Sequence, residues 1–166
     1  MTDRVTDEGA VALVRRQQVL DLLARYCERV DEYDIDAMAD CFTETATTDY
    51  GPGRGGPVTG RDAIARRIRA GQAEFRRTHH QLGQCRVSTD ERSGSSLAYV
   101  TAWHERWSGD VETACLRYRD DVVRDADGAW RIAVRRVDAA VVDGFAGVPW
   151  TWVERRPPAG GAHATA

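Results

Sequence analysis

The chain has 166 residues, 42% of them hydrophobic, and a formal net charge of -3, enough for one domain with a proper core and too short for two. All 23 basic residues are Arg, and neither Lys nor Asn occurs anywhere. That excludes Schiff-base chemistry, a phosphate-loop lysine and an N-glycosylation sequon, and no basic stripe interleaved with aromatics points to nucleic acid as a partner.

Residues 1–9 are polar and are expected to be frayed. The single domain is expected over 10–154. Within it, Val19, Leu20, Leu23, Tyr26, Cys27 and Val30 recur at three- and four-residue spacing, one face of a long first helix that ends at Asp31. A short second helix follows, with Asp34 as N-cap and Ile35, Met38, Ala39 and Phe42 as its buried stripe. Thr45 to Tyr50 has a β-like composition. Gly51 to Gly60, with two Pro and five Gly, reads as a loop. A third helix is predicted from about Arg61 to Phe75, with Ile64, Ile68 and Phe75 inward.

From Thr78 the period changes to two. Strands are predicted over Thr78 to Val87, Leu97 to Trp107, Thr113 to Val123 and Ala129 to Asp138, separated by turn-rich segments. Long consecutive strands with tight turns make an antiparallel meander. Helices followed by strands argue an α+β fold with the helices on one face of a curved sheet. Residues 155–166, with Pro157-Pro158 and Gly160-Gly161, read as a disordered tail, which discounts His163 as a catalytic group.

Cys27, Cys41, Cys85 and Cys115 are scattered without a CxxC pair, so free thiols in a reducing compartment are expected. With no signal peptide and no apolar run of membrane-span length, the expected location is cytoplasmic, with no membrane partner.

Chemistry can be placed on three separated residues: Asp31 at a helix end, His80 in Thr78-His79-His80-Gln81-Leu82-Gly83, and His104 in Ala102-Trp103-His104-Glu105. A carboxylate and two imidazoles in one pocket can transfer protons without a cofactor. Alternation along a strand sends His79 and His80 to opposite faces, and groups His104 with Ala98, Val100 and Ala102, whose small side chains leave room for a ligand. Tyr99, Trp103 and Trp107 fall on the other face, as cover for a core or a subunit interface. Each residue taken alone also has a structural reading: His104 as a strand histidine, Asp31 as a cap, Tyr50 as packing, Trp150 and Trp152 as cover over an open end. Of Arg135 and Arg136, alternation leaves one in solvent.

Arg29-Val30-Asp31-Glu32-Tyr33-Asp34-Ile35-Asp36 through Cys41-Phe42-Thr43-Glu44-Thr45-Ala46 resembles the SnoaL-like branch of the NTF2-like superfamily. So do His79-His80-Gln81-Leu82-Gly83 and Asp127-Gly128-Ala129-Trp130-Arg131-Ile132. The resemblance spans about Val11 to Phe145. It implies a cone-shaped α+β barrel, a bent antiparallel sheet wrapped around N-terminal helices with a deep pocket at its open end. Within that branch the chain is most similar to scytalone dehydratase and its relatives. There Asp31 and His80 match a catalytic pair, His104 a second pocket histidine, and Tyr50 a tyrosine on the substrate carbonyl side. The chain departs from that pattern where a second pocket tyrosine falls on Val30, and where a Ser and an Asn fall near Arg117 and Arg119. Scytalone itself is therefore not the expected substrate.

The resemblance implies a metal-independent enzyme of natural-product metabolism with no cofactor. It would eliminate water from, or cyclise, a mid-sized carbonyl compound. His80 would be the base, Asp31 its partner, His104 and Tyr50 the assisting groups; Arg117, Arg119, Val30 and Trp150 would be the substrate-binding residues. A homo-oligomer, dimer or trimer, is also expected. Three alternatives stand beside it: a two-His-one-carboxylate metal site, a non-catalytic binding or assembly subunit of the same fold, and a steroid-type isomerase or dehydratase.

Overall fold

The computed structural model describes residues 7–145 and 147–154. Residues 1–6, 146 and 155–166, His163 among them, lie outside the described residues. Three helices come first, α1 (Asp7–Asp31), α2 (Ile35–Ala39) and α3 (Arg61–Gln72). They pack on a six-stranded sheet of β1 (Phe42–Asp49), β2 (Val58–Thr59), β3 (Phe75–Thr89), β4 (Ser93–Arg106), β5 (Val111–Arg124) and β6 (Trp130–Asp143).

The apolar stripe of α1 is Val19, Leu22, Leu23, Tyr26, Cys27 and Val30, all buried. Leu22 takes the place expected of Leu20 because strict three- and four-residue steps from Val19 land on it. The helix already begins at Asp7, inside the segment expected to be frayed. It ends where Tyr33 adopts a left-handed conformation, φ 58°, and the Tyr33 and Asp34 N–H groups close back on the Val30 and Arg29 carbonyls. Asp34 then caps α2 by accepting from the Ala37 N–H at 3.2 Å. This tight exit holds Asp31 at the rim of the sheet.

The strand order is β2-β1-β6-β5-β4-β3. β3 to β6 form the expected meander, but β1 pairs parallel with β6, so the sheet is not purely antiparallel. It curves without closing. The long strands start earlier or run later than expected: β3 already begins at Phe75, paired with Arg106, so α3 stops at Gln72 and Phe75 is a strand residue. Two short elements also sit in the Gly-rich stretch, β2 and a tight helical turn at Pro52–Arg54.

The concave face carries Ala98, Val100, Ala102 and His104 from β4, Ala114, Leu116 and Tyr118 from β5, and Ile132, Val137 and Ala139 from β6, all buried. On the convex face Tyr99 is exposed; Trp107, expected on the same face, lies past the end of β4, where its indole N–H donates to the Ala73 carbonyl at 3.2 Å. The four cysteines are free; Cys27 and Cys41 are buried and Cys115 is exposed. No described helix is long and apolar enough to cross a membrane.

Candidate active site

The sequence order Asp31, His80, His104 becomes one cluster through α1, β3 and β4. α1 packs along β3 and lays Asp31 against Thr78 and His80. The Asp31 carboxylate accepts three hydrogen bonds: from the Thr78 hydroxyl at 2.8 Å, from the His80 backbone N–H at 2.7 Å, and from His80 Nδ1 at 2.6 Å. Burial pulls the Asp31 carboxyl upward, but the His80 ring, the His80 N–H and the Thr78 hydroxyl outweigh it and hold it below the usual carboxylate range. An ionised carboxylate on Nδ1 fixes the proton there and leaves Nε2 with its lone pair.

In the β3–β4 register Thr78 faces His104 and His80 faces Ala102, so both imidazoles stand on the concave face, their ring centroids 5.2 Å apart, edge to face. His79 points out to solvent. His104 lies against Phe75 at 4.6 Å and edge-on to Phe145 at 5.8 Å. Burial, then the neighbouring His80, pushes its pKa down to about 3, so His104 is neutral near pH 7. Its Nδ1 is buried with no hydrogen-bond partner among the described residues.

Phe145 reaches this place through Gly144, at φ 81°, where a β-carbon would sit 2.4 Å from the Val111 carbonyl oxygen. Only glycine permits both the left-handed turn and that approach. The chain then returns alongside β6, where the Ala139 N–H donates to the Thr151 carbonyl. Trp150 thereby becomes one wall of the pocket.

The pocket and its mouth enclose about 730 Å³ of empty space, lined by Tyr26, Tyr50, His80, His104, Phe145 and Trp150 among others. Of the residues expected at the site, His80, His104, Tyr50 and Trp150 line this cavity, and Asp31 supports His80 from behind. Val30 does not line it; it is a buried core residue of α1. Arg117 and Arg119 do not line it either. On β5 the even-numbered residues face inward, so both arginines stand on the convex face, Arg117 over the Tyr99 ring at 5.0 Å and Arg119 paired with Asp138 at 2.7 Å. These positions keep Val30, Arg117 and Arg119, expected as substrate-binding residues, out of this cavity.

A polar group at the pocket floor was not anticipated. The Tyr26 and Tyr50 hydroxyls are hydrogen-bonded at 2.8 Å. Beneath them Arg135 lies fully buried, paired with the equally buried Asp120 through two hydrogen bonds of 2.8 and 2.7 Å. Its guanidinium is 4.1 Å from the Tyr26 ring centroid and 4.4 Å from that of Tyr118, a stack that offsets part of the cost of burying the charge. Burial raises the Tyr50 phenol, and Arg135 offsets part of the rise; both hydroxyls therefore stay protonated donors at neutral pH. The sequence signal was the Arg135-Arg136 pair, of which one had to turn inward. The choice is made by a register shift between β5 and β6, at Asp121 and Val122. It interrupts the alternation that starts at Ile132 and turns residue 135, not 136, into the core.

Among the described residues, no group of three or more His, Cys, Asp or Glu side chains is arranged to hold a metal ion.

Helices on a curved sheet, with a carboxylate-bound histidine lining an apolar pocket, define a class of small pocket-bearing α+β domains. The profile of the SnoaL-like domain family matches residues 11–136, and the chain belongs to that family, within the NTF2-like superfamily. No curated protein matches the sequence. Among solved structures, one assigned as a scytalone dehydratase from Novosphingobium aromaticivorans superposes with a TM-score of 0.80 at 21% identity, over 87% of this chain and 97% of that one. A protein from the same organism, assigned as an aromatic ring hydroxylase, gives 0.71 at 29% identity over 78% and 92%. A hexachlorocyclohexane dehydrochlorinase gives 0.71 at 16% over 89% and 96%. The first and third likenesses establish the fold alone.

Proposed function

We propose that this domain is a cofactor-independent acid–base enzyme that abstracts a proton beside a carbonyl and then eliminates a leaving group or closes a ring. The observation that carries the reading is the Asp31–His80 contact of 2.6 Å, with the second imidazole nitrogen left for an apolar pocket. Lyase-type neighbours of the same fold support it.

In this reading His80 Nε2 takes the proton, and the imidazolium that forms is stabilised by Asp31. Negative charge grows on the carbonyl oxygen, which accepts a hydrogen bond from Tyr50; Tyr26 and the Arg135 charge polarise that donor. His104 is neutral, so it acts as a hydrogen-bonding group that orients the leaving hydroxyl. The proton for that hydroxyl comes back from His80. Water elimination gives a dehydratase, and internal capture of the activated carbon gives a cyclase. A natural-product ketone or hydroxy ketone suits the pocket's largely apolar walls.

The test is His80→Ala assayed on a panel of hydroxylated polyketide- and steroid-like carbonyl compounds, with the fold checked by circular dichroism. A loss of about 10²–10⁴-fold is expected. Turnover near that of the parent removes the base assignment and favours a non-catalytic binding subunit.

A further inference from the structure

Arg54, a cation lining the pocket, has no ion-pair partner among the described residues. Arg54 closes the tight turn at Pro52–Arg54 and lines the cavity. No described carboxylate forms an ion pair with it. Glu112 and Glu74, whose charges it feels, both pair with Arg106, Glu112 through Oε1 while its Oε2 is buried without a hydrogen-bond partner among the described residues. Its guanidinium instead lies against two pocket aromatics, 5.3 Å from the Phe145 ring centroid and 5.5 Å from that of Trp150.

The turn is held rigidly beside Trp150. The Gly53 N–H donates to the Pro149 carbonyl at 2.9 Å, and a β-carbon at Gly53 would meet that oxygen at 2.5 Å. Arg54 and Trp150 therefore keep a set spacing. The Trp150 indole N–H is itself buried without a hydrogen-bond partner among the described residues. The cavity lining contains no Asp or Glu, while Arg67 adds a second guanidinium. A partly desolvated cation without an ion pair and a buried N–H donor without a partner among the described residues, in a cavity whose lining holds no Asp or Glu, are complementary to a bound anion.

We infer that the pocket selects organic acids, the ionised carboxylate of the substrate docking on Arg54 with the Trp150 indole N–H as second donor. Phe145 lies between Arg54 and His104, 5.3 Å from the guanidinium and 5.8 Å from the imidazole. A carboxylate on Arg54 thus leaves the far end of a two-ring skeleton to His80 and Tyr50. That orientation rests on the acid–base reading; the preference for an anion does not.

The experiment is a pair of calorimetric titrations of the purified protein at neutral pH, with 2-naphthoate and with the neutral 2-acetylnaphthalene. Naphthoate is expected to bind at least about tenfold more tightly, with an affinity that weakens as salt rises. Arg54→Gln should lower naphthoate to the level of the ketone and leave the ketone unchanged. Trp150→Phe, which removes the indole N–H together with part of the ring, should weaken naphthoate more than the ketone, by a smaller factor than Arg54→Gln does. Equal affinity for the two compounds, no naphthoate binding at millimolar concentration, or an undiminished preference in Arg54→Gln overturns the inference. His80→Ala should keep the preference, so an anion site without turnover would separate failure of the enzyme reading from failure of this one.

Discussion

Replacing Asp31 with Asn changes one atom and should reverse the tautomer of His80. The carboxylate accepts all three of its hydrogen bonds, one on Oδ2 from the His80 backbone N–H and two on Oδ1 from Thr78 and His80 Nδ1. A backbone N–H can only donate, so the amide oxygen of Asn must stay on that side. The NH2 group then faces Thr78 and Nδ1. The Thr78 hydroxyl can turn and accept, but Nδ1 can accept only by giving up its proton, and the proton moves to Nε2. The nitrogen facing the pocket becomes a donor and is lost as a base. Stability should fall by about 1–3 kcal/mol, the scale of a charge-assisted hydrogen bond replaced by a neutral one. Turnover should fall by about 10²–10⁴-fold. The assay that needs no substrate is the nitrogen chemical shift of the His80 ring in labelled protein. The parent should show a protonated Nδ1 and the variant a protonated Nε2. A parent ring already protonated at Nε2, or one unmoved by the substitution, would refute the reasoning.

The His104 imidazole should remain neutral in proton NMR titrations down to about pH 4, since its folded pKa is about 3. An unfolded histidine protonates near 6.5, so between these values the unfolded chain binds a proton that the folded chain lacks. Stability should therefore decline as pH falls through that window, by up to about 1.4 kcal/mol per pH unit, and His104→Phe should flatten the decline in urea melts. Asp31, with a lowered pKa, adds stability that is present above the ordinary carboxylate range and is lost only further down, as pH falls through its folded value. A His104 midpoint near 6.5 would contradict the burial argument. Arg135→Met leaves Asp120 buried and unpaired, and should cost about 3–5 kcal/mol in chemical denaturation. Pairing it with Asp120→Leu should recover most of that loss; a single variant as stable as the parent would show that the pair is hydrated and not a sealed ion pair.

The elements legible in the sequence were those set by short-range periodicity. The 3.6-residue stripe of α1, the cap at Asp34, and the two-residue alternation that separates His79 from His80 and places His104 with Ala98, Val100 and Ala102 all depend on neighbours a few residues apart. Alternation also held the information that Arg117 and Arg119 share a face opposite Leu116 and Tyr118. They were nevertheless expected at the pocket, because the family resemblance aligned them with polar residues there.

What the sequence did not contain is the pairing of distant segments and the places where strand alternation breaks. Whether Arg135 or Arg136 enters the core depends on a register shift against β5, and a one-residue shift exchanges the faces of a strand. The parallel pairing of β1 with β6 is a contact between the two ends of the domain and brings Tyr50 over Tyr26 and Arg135. Arg54 sits in a Gly- and Pro-rich stretch with no period at all. It becomes a pocket residue only because Gly53 docks on Pro149, ninety-six residues further on. Local patterning determined most of the elements and, where alternation is unbroken, the face each side chain takes; the packing of those elements against one another decided where the alternation breaks and which polar groups share the cavity.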